Sequence, residues 1–175
     1  MQNIKKKYLS KTIFLWSFCA VLFSVPLLVV SIKNGKWLIG ILVVLSNFAV
    51  AAILILVGKL RLTKVDKSVH DQEERYSVKF ADEEAELLSS NGNVYLAKNW
   101  LINLPKWAFY KEYITEIGYE RFDSTKSTNQ KYCCFIHTAG HEAYTAWVAN
   151  MESVEKINKW FSEKQEPTSS PNSKL

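Results

Sequence analysis

The sequence is poor in the residues that build compact metal and nucleotide sites. It contains three cysteines and three histidines among 175 residues, with no C-x-x-C and no H-E-x-x-H spacing. It also lacks a P-loop and a dinucleotide-binding glycine pattern. The sequence therefore contains none of these recognisable zinc-binding or nucleotide-binding motifs. A structural zinc site would also require four ligands.

Acidic residues are nearly missing from the first third of the chain. Residues 1–67 contain ten Lys or Arg and one acid, Asp66, whereas residues 68–175 contain twelve Lys or Arg and sixteen acids. The net charges of the two parts are therefore +9 and −4, which give the +5 of the whole chain. A pI of about 9.0 usually suggests nucleic-acid binding. Because only the first third is basic, the sequence predicts no nucleic-acid partner.

Charge is also missing from two long apolar runs. Thr12 to Ile32 and Trp37 to Val57 each extend for 21 residues without a charged side chain. At a helical rise of ~1.5 Å per residue, each run covers ~30 Å, the thickness of the hydrocarbon core of a bilayer. The four residues between them predict a tight turn. We therefore expect an antiparallel transmembrane hairpin (12–57) that anchors a multi-pass protein in the lipid bilayer of the cell membrane.

The cations that flank these runs predict the orientation of the hairpin. Only Lys33 and Lys36 lie in the connecting turn, against eight cations outside the spans, which are Lys5, Lys6, Lys7, Lys11, Lys59, Arg61, Lys64 and Lys67. The positive-inside rule then places both termini in the cytoplasm. A cleavable signal peptide is the competing interpretation of the first run. However, the run is long, no A-x-A site follows, and a second span comes at once.

The rest of the chain predicts a small cytoplasmic domain between polar segments. Residues 1–11 form the cytoplasmic N-terminus, 58–80 a charged juxtamembrane connector with partial helical character, and 163–175 a disordered tail. Within the domain (81–162), we expect a short helix over 81–90 with Asp82 as its N-cap. One strand is predicted over 93–103, and a strand-rich segment over 107–122 with a bulge or bend at Gly118. A polar loop is predicted over 123–130.

The final part of the domain predicts two strands and an amphipathic helix. "KYCCFIHTA" and "HEAYTAWVA" suit strands on either side of Gly140. Asn150 is a good N-cap for a helix whose apolar stripe contains Met151, Val154, Ile157, Trp160 and Phe161. The fold class is thus α+β, with a transmembrane helical hairpin and a small antiparallel β-barrel or sheet domain capped by a C-terminal helix.

A candidate site lies in the predicted hairpin, where Cys133, Cys134, His137, His141 and Glu142 fall within ten residues. Adjacent strand residues point to opposite faces, so the two cysteines cannot easily pair. Cys133 and His137 share a face but lie ~13 Å apart, too far for a nucleophilic pair. A two-residue loop would place His137 opposite Glu142, and a three-residue loop with left-handed Gly140 would place it opposite His141. We predict an ordinary hairpin without catalytic, cofactor or metal residues.

The element order resembles that of bacterial membrane-anchored pleckstrin-homology-like (PH-like) domains, of the kind grouped as YcxB-like. The resemblance rests on the two spans, "NWLIN", "YKEYITEIGYERF", "AYTAWVA" and the closing helix. It implies a capped antiparallel fold, without implying an activity or lipid headgroup binding. We therefore expect a non-enzymatic interaction module that binds a protein partner or itself through a sheet edge or barrel rim. The alternative is a membrane-tethered metal-dependent or Cys/His enzyme or sensor.

The aromatic residues of the domain are expected to be core residues. This expectation covers Trp100, Trp107, Tyr110, Tyr113, Tyr119, Trp147 and Trp160.

Overall fold

The computed structural model describes residues 1–80, 85–89, 93–122 and 131–163. The fold is α+β, with two long apolar helices followed by a small antiparallel sheet domain and a C-terminal helix. Contacts divide the chain into two compact units: the first comprises Met1–Lys67 and Leu104–Lys106, and the second comprises the remaining described residues. The helices are α1 (Gln2–Lys33), α2 (Trp37–Tyr76) and α3 (Met151–Ser162). The strands are β1 (Glu86–Leu87), β2 (Val94–Leu96), β3 (Trp100–Asn103), β4 (Trp107–Tyr110), β5 (Ile114–Phe122), β6 (Lys131–Thr138) and β7 (Ala143–Val148).

In the first unit, small side chains let α1 and the first part of α2 approach closely. Ala20, Ser24 and Ala51 are buried, and the Asn47 side-chain amide donates a 3.1 Å hydrogen bond to Ser24 Oγ. Small residues at helix contacts are typical of membrane helix pairs, because they bring the backbones together. Most of the larger apolar side chains of both helices are exposed. Both helices are long and apolar enough to cross a membrane, which is compatible with membrane association.

The charged segment after the second apolar run is more helical than the sequence suggested. α2 continues without a break to Tyr76, so most of the predicted connector is a helix. In the second unit, the side chain of Gln72 donates to the carbonyl oxygen of Ala108 at 3.0 Å and accepts from the N–H of Tyr110 at 2.8 Å. The Tyr76 ring lies 5.2 Å from the Tyr110 ring. The last turns of α2 therefore pack on β4.

Two antiparallel sheets enclose the core of the second unit. One sheet has the strand order β1-β2-β3-β4 and the other β5-β6-β7, and the described strands do not close into a barrel. A side-chain amide of Asn103 joins the sheets by donating to the carbonyl oxygen of Thr145 at 3.1 Å. The buried core includes Leu88, Val94, Leu101, Trp107, Phe109, Ile114, Tyr132, Cys134, Ile136, Ala146, Val148, Val154, Ile157 and Trp160.

The structure confirms the N-cap and the apolar stripe that were predicted for the C-terminal helix. Asn150 Oδ1 accepts a 2.9 Å hydrogen bond from the N–H of Ser153, which satisfies one of the free amides at the helix start. Val154, Ile157 and Trp160 are buried in the core. The helix thus covers apolar surface of the sheets, as its periodicity predicted.

Three predicted elements differ from the structure. Glu86 and Leu87 form a strand, although a helix was predicted over 81–90. The predicted strand over 93–103 is a hairpin of β2 and β3, because the chain reverses over Ala97–Asn99. The irregular pairing of β5 lies between Ile114 and Glu116, away from Gly118. The Asp82 cap, the polar loop over 123–130 and all but the first residue of the predicted tail lie outside the described residues.

Candidate functional site

The two adjacent cysteines lie on opposite faces of β6, as the strand alternation predicted. Cys134 is part of the core. Its pKa is raised from 9.0 to about 12, mainly by burial and secondly by the charge of the neighbouring Cys133. Cys133 is on the outer face, where its cross-strand partners are Glu120 and Trp147. It is only 3% exposed, and its pKa is raised by burial first and by the charge of Glu120 second. Both thiols are therefore held in the protonated, unreactive form at neutral pH.

The turn after β6 differs from both loop geometries considered from the sequence. The connection runs from Ala139 to Glu142, and His137 pairs with Ala143. The left-handed residue is His141, with φ of 60°, whereas Gly140 was expected there. The N–H of Thr138 donates to the Glu142 carbonyl at 3.1 Å. His137 therefore faces neither Glu142 nor His141.

The carboxylate of Glu142 is engaged with a neighbouring side chain. The Tyr144 hydroxyl donates a hydrogen bond to it. Burial first, and then this hydrogen bond and the charge of Glu142, raises the pKa of Tyr144 to about 12. In the described part of the chain, no three His, Cys, Asp or Glu side chains come together in a group that could hold a metal ion.

An exposed aromatic patch on the outer face of the second sheet was missed by the sequence analysis. We define the aromatic patch as Phe122, Phe135 and Trp147, which share this face by strand alternation and register. Phe122 and Trp147 are 41% and 43% exposed, and their ring centroids lie 5.2 Å apart. The expectation that Trp147 belongs to the core is therefore wrong. Tyr119, which is 48% exposed, departs from that expectation in the same way.

The aromatic patch lies beside a long edge strand. β5 extends over nine residues, and among the described strands it pairs only with β6. Glu116, Glu120 and His137 share the outer face with the patch and are exposed. An apolar centre with polar groups around it is the usual anatomy of a protein interface. Glu116, Glu120 and Phe122 are separated by even numbers of residues, so they fall on one face of a strand. Two carboxylates on the same strand face as a phenylalanine were the signal in the sequence for this surface.

Comparison of the chain with protein-family models, with curated proteins and with solved structures gives no match. The resemblance to PH-like membrane proteins, which rests on element order, therefore stays a prediction.

Proposed function

We propose that this protein is a non-enzymatic, membrane-anchored interaction module whose cytoplasmic domain binds a protein partner, or a second copy of itself, at the aromatic patch and the β5 edge. The observation that carries the proposal is the exposed contact between Phe122 and Trp147 on the outer face of the second sheet. Aromatic side chains are enriched among the residues that dominate interface energetics. A strand with one strand neighbour among the described residues, such as β5, can offer backbone donors and acceptors along its other edge to an incoming strand.

The membrane placement is supported by the composition of the two apolar helices. Their large side chains are exposed, and Phe14 is 72% exposed. Exposure of so many apolar side chains to water would oppose folding, whereas contact with lipid would not. The excess of cations outside the spans favours cytoplasmic termini. Protease added outside intact cells should then leave residues 59–163 uncut, and cleavage within this segment would contradict the orientation.

The domain architecture supports the PH-like interpretation. A four-stranded sheet, a three-stranded sheet and a closing helix follow one another in the chain. This order is compatible with a PH-like domain attached to a membrane hairpin of the YcxB-like kind. The Cys/His alternative is less favoured, because His137 and Cys133 are separated along β6 and both cysteines are buried.

Site-specific photocrosslinking in the native membrane tests the interaction. A photoreactive residue at Thr145, which is exposed on the same face as Trp147, should form a discrete adduct. Trp147→Ala should reduce that adduct, because the partner loses its aromatic anchor. The matched control carries the probe at the exposed Lys159 on α3, where no adduct is expected. Equal adducts with and without Trp147 would contradict the proposed surface.

A further inference from the structure

Three cations line an open cavity within the first unit. The cavity has a volume of about 270 Å³ and is lined by Arg61, Lys64, Pro105 and Lys106. Arg61 and Lys64 are three residues apart on α2 and therefore share one helix face. Lys106 belongs to the turn Leu104–Lys106 that joins β3 to β4. A water molecule occupies about 30 Å³ in the liquid, so the cavity has room for a considerably larger group.

Among the described residues, no carboxylate forms an ion pair with the cations at this cavity. None of the lining residues is acidic. The one acid of residues 1–67, Asp66, forms an ion pair with Lys5. Within the described residues, no ion pair involves Arg61, Lys64 or Lys106. Like charges on one helix face repel each other, so an anion bound between them would stabilise this arrangement.

The position of the cavity along α2 matches the headgroup layer of a bilayer. The apolar run ends at Val57, so Arg61 and Lys64 lie ~6 Å and ~10 Å farther along the helix axis. The headgroup region adds ~5–7 Å on each side of the hydrocarbon core. Long cationic side chains also reach along the helix to place their charge at this level. Provided that the proposed membrane placement holds, Arg61 therefore lies within the headgroup layer, and Lys64 lies just beyond it, where its long side chain can reach back to the lipid phosphates.

We propose that Arg61, Lys64 and Lys106 bind the phosphate of an anionic phospholipid headgroup. The Arg61 guanidinium offers paired donors that match phosphate oxygens, and the two lysines add point charges. The pyrrolidine ring of Pro105 supplies an apolar wall beside the charged groups. Soluble phosphates share this chemistry, but lipid phosphates are already concentrated at this depth.

Native mass spectrometry of the full chain in detergent, titrated with phosphatidylglycerol or phosphatidylcholine, tests the site. We expect one phosphatidylglycerol to bind at least about tenfold more tightly than phosphatidylcholine. Each Lys or Arg that contacts the anionic headgroup is expected to contribute about fivefold in affinity, the effect of about 1 kcal/mol that a cation has close to an anionic lipid surface. The triple variant Arg61→Gln, Lys64→Gln, Lys106→Gln should therefore lose at least about tenfold of the preference.

A matched triple variant distinguishes lipid binding at the cavity from general electrostatic attraction between anionic lipid and the basic first unit. Lys7→Gln, Lys59→Gln, Lys67→Gln removes three exposed cations of the same unit that do not line the cavity. Its preference should change by less than about threefold, because detergent provides no extended anionic surface and exposed charges that do not contact the bound lipid are screened by salt. Equal losses in both triple variants, or none in the first, would overturn the proposal. Lys106→Gln alone changes an exposed side chain, should weaken binding about fivefold, and provides the test if the triple variant misfolds.

Experiments in nanodiscs distinguish a lipid phosphate from a soluble phosphate. They also distinguish failure of the membrane placement from failure of the cavity site. In phosphatidylcholine nanodiscs, inorganic phosphate should not bind the full chain measurably. Saturable phosphate binding that the triple variant loses would overturn the lipid assignment in favour of a soluble phosphate. Failure of the chain to enter nanodiscs would contradict the membrane placement itself. Incorporation without a preference for phosphatidylglycerol would contradict the cavity site alone.

Discussion

The indole N–H of Trp160 donates a 2.7 Å hydrogen bond to the backbone carbonyl of Lys98. Lys98 lies in the turn between β2 and β3, so this bond ties α3 to the first sheet. The same ring is buried in the core with Val154 and Ile157. A single side chain thus provides both apolar burial and a polar link between the helix and the sheet.

Trp160→Ala should severely destabilise the domain, because it leaves a cavity in the core and an unpaired carbonyl. Truncation of a buried tryptophan costs about 3–5 kcal/mol, against about 5–15 kcal/mol for a whole domain. Lys159→Ala, at an exposed neighbour, should change the free energy of unfolding by less than about 0.5 kcal/mol. Urea unfolding of the full chain in detergent, followed by labelling of the core thiol of Cys134, measures both. Equal midpoints would show that α3 does not stabilise the sheets.

The side chain of Gln72 is expected to stabilise the packing of α2 on β4. Gln72→Ala removes both of its hydrogen bonds to the β4 backbone and leaves the N–H of Tyr110 without this acceptor. An unsatisfied buried donor costs about 1–3 kcal/mol. Asp71→Ala, on the exposed side of the same helix turn, should stay within about 0.5 kcal/mol of the parent. The same Cys134 labelling reports both, and an equal effect would contradict this role for Gln72.

Periodicity in the sequence predicted the elements whose burial is one-sided. The strands around Gly140 and the Asn150-capped helix were predicted in this way, and each is present in the structure. The two charge-free runs were predicted from their length and lack of charge instead, and both are helical. β3 is different, because both of its faces are buried and no alternation marks it. That is why the reversal at Ala97–Asn99 was not predicted.

The two proposed binding surfaces depend on contacts between distant parts of the chain. Lys106 lines a cavity with Arg61 and Lys64 although some 40 residues separate them. The pairing of Cys133 with Trp147 required the register of β6 and β7, which the true turn length sets. Local sequence patterns do not show which residues of distant segments meet, because the tertiary structure determines those contacts.

Trp147 is expected to shield the thiol of Cys133. Trp147→Ala should increase the rate of Cys133 alkylation by N-ethylmaleimide at neutral pH at least about tenfold, because its cross-strand cover is removed and the thiolate is the reactive form. Cys134 should stay protected, since its pKa of about 12 and its burial are set on the core side. Peptide mass spectrometry after timed labelling distinguishes the two sites.

Thr145→Ala, on the same strand and face as Trp147, is the matched control and should leave both labelling rates near the parent values. If Cys134 reacts together with Cys133 in Trp147→Ala, the substitution has unfolded the sheet. Trp147 would then be a structural residue, and the aromatic patch would lose one of its three members as a free binding surface.

The close approach of the helices near the turn makes Gly40 sensitive to added volume. A Cβ at Gly40 would lie 2.8 Å from the Cβ of Ser31, whereas one at Gly58 would meet only Thr12 Cγ2 at 3.9 Å. Both positions are helical, and alanine is favoured over glycine in a helix by about 1 kcal/mol. Overpacking costs about 1–3 kcal/mol. Gly40→Ala should therefore destabilise the helical hairpin, and Gly58→Ala should not. Titration of the full chain with SDS, followed by tryptophan fluorescence, compares them. A Gly40→Ala midpoint at or above that of Gly58→Ala would mean that α1 and α2 are not in tight contact at Ser31.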